Sequence, residues 1–127
     1  MTLTLSLSGG FVDYSATPDS YTVQALTSLL QATRSLGSKN VPLKGLSVEY
    51  RLTKTTSFPG ILSDGIAAWR YLIQDCGYSP SNIVLAGDSA GGMLSLSITR
   101  YLINEKPFGE GFPKGLVLYS VSDVLAI

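Results

Sequence analysis

The sequence predicts an α/β domain, with about four parallel strands joined by crossover helices in a three-layer α/β/α sandwich. Two observations point there. Short segments of period-two or continuous apolar character alternate along the chain with segments of helical period, giving the order βαβαβαβ. The third strand candidate, "IVLAG" at Ile83 to Gly87, is a β-branched apolar run with no polar alternation, the pattern of a strand buried on both faces. Each parallel return needs a crossover, and every interval between strand candidates holds one helical segment.

The first strand is expected over Leu3 to Leu7, where leucines alternate with Thr and Ser, and "SGG" at Ser8 to Gly10 closes it. Asp19 or Ser20 can cap a first helix whose apolar side includes Val23, Leu26 and Leu30, ending near Gly37. "GLSVEY" at Gly45 to Tyr50 reads as the second strand. Pro59 suits a first helical turn, and Leu62, Ile66, Trp69, Ile73 and Cys76 follow at helical spacing, with Gly77 as the C-terminal cap. Ser89 opens the third helix, whose predicted inner face is Ala90, Met93, Leu94, Ser97, Ile98, Tyr101 and Leu102. "GLVLYS" at Gly115 to Ser120 is the fourth strand.

The chain has 127 residues, the size of one domain, and residues 1–127 are read as a single unit. Nine basic and nine acidic residues balance to zero net charge, which excludes the electrostatic footprint of nucleic acid binding. No run approaches a membrane span, and the alternating start lacks the basic region of a signal peptide. The single cysteine, Cys76, excludes an internal disulfide framework and a multi-cysteine metal site, so a cytoplasmic setting is expected, with no metal and no cofactor. Oligomeric state leaves no trace in the sequence.

Ligands of open α/β sheets bind beyond the carboxyl ends of the strands. Here those ends read "SGGF", "YRLT", "GDSAGG" and "SVSD". The third carries Gly87-Asp88-Ser89-Ala90-Gly91 between a strand and a helix. A serine on so sharp a turn needs strained backbone angles and small residues two positions away on either side, which Gly87 and Gly91 supply. The helix start also offers the Ala90 N–H to a developing negative charge. The competing reading is a glycine-rich turn whose serine only caps the helix.

"GDSAGG" at Gly87 to Gly92, "SGGF" at Ser8 to Phe11, "YRL" at Tyr50 to Leu52 and "FPGILSDGIAAWRYL" at Phe58 to Leu72 together resemble the hormone-sensitive-lipase-like branch of the α/β-hydrolases. The likeness runs through nearly the whole chain and implies strands three to six of an eight-stranded sheet, with the first strand here lying between the second and third. It implies Ser89 as catalytic nucleophile in acyl transfer from a small-molecule carboxylic ester. Gly9, Gly10 and Ala90 would be the oxyanion-hole donors, with Gly87, Asp88 and Gly91 shaping the elbow.

The chain also departs from that family. It contains no histidine, the usual base. The family's catalytic Asp and His follow the elbow on later strands, so a partial domain is expected, without the Asp/His part, the first strands and most of the cap. The first-loop histidine and first glycine are replaced by Leu7 and Ser8, and Lys54 and Thr55 stand where Pro-Glu is usual. Asp123 ends the fourth strand, where other branches place their acid, although a structural aspartate is the competing reading. Asp88 is expected to brace the elbow, and Asp64 to bond a loop backbone. Trp69 is assigned to the core, Tyr71 to the helix surface, Cys76 to packing and Tyr14 to an exposed loop. An ester hydrolase with negligible turnover in this histidine-free form is thus the first functional reading. The others are a non-catalytic small-molecule-binding protein on the same scaffold and an incomplete gene product without function.

Overall fold

A computed structural model describes residues 2–7, 21–35, 43–48, 50–51 and 59–119. In chain order the elements are β1 (Thr2–Leu7), α1 (Tyr21–Ser35), β2 (Leu43–Val48), α2 (Gly60–Arg70), β3 (Ile83–Asp88), α3 (Ala90–Glu105) and β4 (Gly115–Tyr119). The four strands form one parallel sheet in the order β2-β1-β3-β4. β1 therefore lies between the second and third strands, as the resemblance implied. β2 starts two residues earlier than the sequence suggested and stops at Val48. The capping candidates Asp19 and Ser20 lie outside the described residues.

Helices cover both faces of this sheet. A side chain at Gly45 would press on Leu26 and Leu30 of α1, 3.0 Å from each. A side chain at Gly87 would run into the first turn of α3. Gly45 shares a cross-strand row with Val84, through Thr4, and Gly87 lies three positions beyond Val84 along β3. Alternation along a strand puts those two positions on opposite faces, so α1 and α3 sandwich the sheet.

The core lies on the α2–α3 side. Trp69, Ile61 and Leu72 of the α2 segment meet Leu94, Ile98 and Leu102 of α3 over Ile83 and Leu85 of β3. β3 is buried along most of its length, as its unbroken apolar run predicts. Trp69 is fully buried at 0% exposure, whereas Tyr71 is exposed, as assigned from the sequence.

Two apolar stripes are rotated from their predicted positions. In α2 the deepest residues are Ile61, Gly65 and Trp69, followed by Leu72, while Leu62, Ile66 and Ile73 pack at the rim of the core. Cys76, assigned to packing, is exposed. The cause is a widened last turn over Tyr71–Asp75, in which the Cys76 N–H reaches back five residues to the Tyr71 carbonyl at 3.0 Å. A stripe projected at the ordinary helical period loses phase across such a turn. Gly77 then ends the helix at φ 75°, the left-handed conformation expected of its cap.

In α3 the buried face is Gly91, Gly92, Leu94, Ser95, Ile98 and Leu102, and Tyr101, placed inside from the sequence, is 36% exposed. Met93 and Ser97 are half-buried. The helix turns its smallest residues toward β3, because only they allow it to start so close to the strand.

Gly65 sets the α2–α3 distance. A Cβ there would stand 2.5 Å from Ile98 Cδ1 and 3.1 Å from Ile98 Cγ1. Gly65→Val is expected to destabilise the fold by about 2 kcal/mol through overpacking, read from the denaturant midpoint. Adding Ile98→Val, which removes Cδ1, should recover part of the loss.

Candidate active site

β3 passes into α3 without a connecting loop. Ser89 alone joins them, at φ 50° and ψ −113°, outside the ordinary regions for a residue with a side chain. Such strain persists only where the surroundings fix it. The Ser89 N–H donates to the Tyr119 carbonyl of β4 at 2.8 Å, and the Ser89 carbonyl accepts from the Met93 N–H at 3.1 Å. Behind the turn, the Gly87 backbone lies directly against the Gly91 carbonyl and the Gly92 nitrogen, leaving no room for a Cβ.

The structure thus brings Gly87, Asp88, Ser89, Ala90 and Gly91 together at the carboxyl end of β3. Ser89 is half-buried, and Ala90 is the first residue of α3, so its N–H belongs to the helical turn that has no intrahelical acceptor. Gly9, Gly10, Tyr14 and Asp123 lie outside the described residues. β1 does run beside β3 as far as the pair Leu7 and Gly87, so the chain leaves β1 level with the turn.

Tyr50, noted in the sequence only as part of a motif, has 4% exposure and belongs to the core cluster. Burial, and secondarily the negative charge of Asp88, push its phenol up to about 12, so it stays protonated at all ordinary pH. Its neighbour Arg51 faces the other way. The Arg51 N–H donates to Asp64 Oδ2 at 2.8 Å, while its guanidinium Nε and terminal nitrogen bond both carboxylate oxygens at 3.0 to 3.1 Å. The backbone bond is the one expected of Asp64. The forked ion pair was not foreseen, because thirteen residues separate the partners. This clamp ties the exit of β2 to the first turns of α2. The hydrogen-bonded guanidinium of Arg51 holds the Asp64 carboxyl below its usual range.

Among the described residues no group of three or more His, Cys, Asp or Glu is placed to hold a metal ion. None of the described helices is long and apolar enough to cross a membrane.

A profile of the alpha/beta hydrolase fold family matches residues 9–125, nearly the whole chain. The chain belongs to this family. Its hormone-sensitive-lipase-like character is clear from a solved hormone-sensitive lipase from a metagenome library, 34% identical with a TM-score of 0.63, over 92% of this chain and 35% of that one. Among curated proteins it is similar to the human (Homo sapiens) arylacetamide deacetylase-like 2, 30% identical over 79 residues, 58% of this chain and 20% of that protein. It is also similar to esterase LipU of Mycobacterium tuberculosis, 44% identical over 64 residues, 49% of this chain and 21% of that protein. This α/β hydrolase domain therefore spans about a fifth of the length of these curated relatives.

Two expectations follow for this site. Gly87→Ala is expected to destabilise the protein by about 3 kcal/mol, since the new methyl group meets backbone that cannot rotate away; the denaturant midpoint measures it. The Asp64 clamp stabilises the fold fully above the unfolded carboxyl value of about 4 and fades as pH falls through the lowered folded value. The stability gap between the parent chain and Asp64→Asn should therefore close in acid, and a gap that widens there would contradict the ion pair.

Proposed function

We propose that this domain carries the nucleophile seat of a carboxylic-ester hydrolase, acting by acyl transfer from a small-molecule ester to Ser89. The observation that carries the reading is the conformation of Ser89 at the β3–α3 junction of an α/β hydrolase. A serine so placed presents its hydroxyl outward at a helix start, where an adjacent N–H meets the charge that develops on the substrate oxygen. In this reading Ala90 donates from the helix side and Gly9 and Gly10 from the loop after β1. Each donor is worth about 3 to 4 kcal/mol to the transition state. Gly87 and Gly91 make the turn possible.

Water then releases the acid from the acyl-serine. No cofactor enters the chemistry. The step that these 127 residues do not supply is removal of the serine proton, since they include no histidine. We place the activity in the cytoplasm, in keeping with a lone cysteine that forms no intrachain disulfide. The same lack of histidine favours a second reading, a small-molecule-binding protein on the same scaffold. Ligand affinity unchanged by Ser89→Ala would select it.

A short-chain aryl ester tests the first reading. The chain alone is expected to show negligible turnover. Added imidazole, standing in for the missing base, should release phenol at a rate that Ser89→Ala loses. Equal imidazole-dependent rates in the two proteins would remove Ser89 from the mechanism. Robust turnover without imidazole, abolished by Ser89→Ala, would show that the chain supplies its own base.

A further inference from the structure

Among the described residues, one side chain bonds to the backbone of the Gly87–Gly92 turn. It is Ser95, whose hydroxyl donates to the Gly91 carbonyl at 2.9 Å. Ser95 has 0% exposure and is the one polar residue in the described buried set. Its acceptor is no ordinary helix carbonyl, because the same Gly91 carbonyl closes against Gly87 where β3 and α3 touch. Thr99, one turn further along the same row, repeats the contact by donating to the Ser95 carbonyl at 2.9 Å.

From this arrangement we infer that Ser95 is a positioning residue for the elbow. Its hydroxyl fixes the Gly91–Gly92 peptide, and with it the first turn of α3 that carries the Ala90 N–H and closes on Ser89. Among the described residues, Ser89 is also held by backbone bonds from Met93 and to Tyr119. They hold Ser89 itself, whereas Ser95 holds the Gly91–Gly92 peptide two residues further on. A serine that bonds back four residues tilts the carbonyl it engages and bends the helix locally. At this position the tilt acts on the carbonyl that faces Gly87.

A buried hydroxyl that merely satisfies itself on the nearest carbonyl would behave differently. Alanine is the better helix former, so in that case Ser95→Ala would leave the turn as it was or firm it. The consequence for catalysis rests on the acyl-transfer reading; the geometry does not.

The test is nuclear magnetic resonance of the whole chain as the parent protein, Ser95→Ala and Ser95→Cys. In Ser95→Ala the Gly91 carbonyl carbon should move to lower frequency as it loses a donor. Exchange of the hydrogen-bonded Ser89 and Met93 amides should rise about five-fold, the scale of one net hydrogen bond, while Ile98 and Leu102 keep their rates. Ser95→Cys, with similar volume and a weaker donor, should fall between. An unmoved Gly91 carbonyl with unchanged Ser89 and Met93 exchange would overturn the assignment, as would equal acceleration of all four amides. None of these readouts uses an ester, so failure of ester turnover would count against acyl transfer at Ser89 and not against the role of Ser95.

Discussion

The contact between the Gly87 backbone and the Gly91–Gly92 peptide is the constraint on which the architecture turns, because it lets a central strand become a helix within one residue. With no loop to absorb the change of direction, Ser89 takes the strained angles and α3 starts hard against β3. The rest of the structure answers that demand. β1 and β4 flank β3 on either side, and β4 anchors the Ser89 N–H through the Tyr119 carbonyl. α3 must present small residues to the strand, and its buried face accordingly begins with Gly91, Gly92 and Ser95.

Packing on the α2–α3 face follows from the same start. Once α3 is held close to β3, α2 can approach only where it too is small, at Gly65, which admits Ile98. Trp69 and Leu72 then fill the space over Ile83 and Leu85. At the carboxyl ends of the strands, the Tyr50-Arg51 pair links this core to the surface. Tyr50 points into the apolar cluster, while Arg51 grips Asp64 on α2. The exit of β2 is thereby fixed at the same carboxyl end of the sheet as the elbow.

Serine hydrolases combine two chemical tasks. Stabilising charge on an acyl oxygen needs rigid backbone donors, to which a strand–helix turn contributes the N–H of its first helical residue. Activating the hydroxyl needs a titratable base, which no backbone group can replace. These 127 residues include a strand–helix turn of that kind, at Ser89, and no histidine.

The element order, the parallel sheet and the elbow are legible in the sequence because each rests on local patterns. An unbroken apolar run marks β3, glycines two residues either side of Ser89 mark the turn, and motifs shared with the family place β1 at the centre. What local period cannot supply is the rotation of each helix about its own axis. The wide turn at Tyr71–Asp75 exposed Cys76, and the close start of α3 turned Ser95 inward and Tyr101 outward. The Arg51 and Asp64 pairing was equally hidden, since it joins distant positions that only the fold makes neighbours. The sequence by itself determined the order of strands and helices and the residue at the elbow, because short-range sterics and apolar pattern act within a few residues. Tertiary structure alone decided which faces were buried and which side chain braced the turn, because those depend on how closely two elements approach.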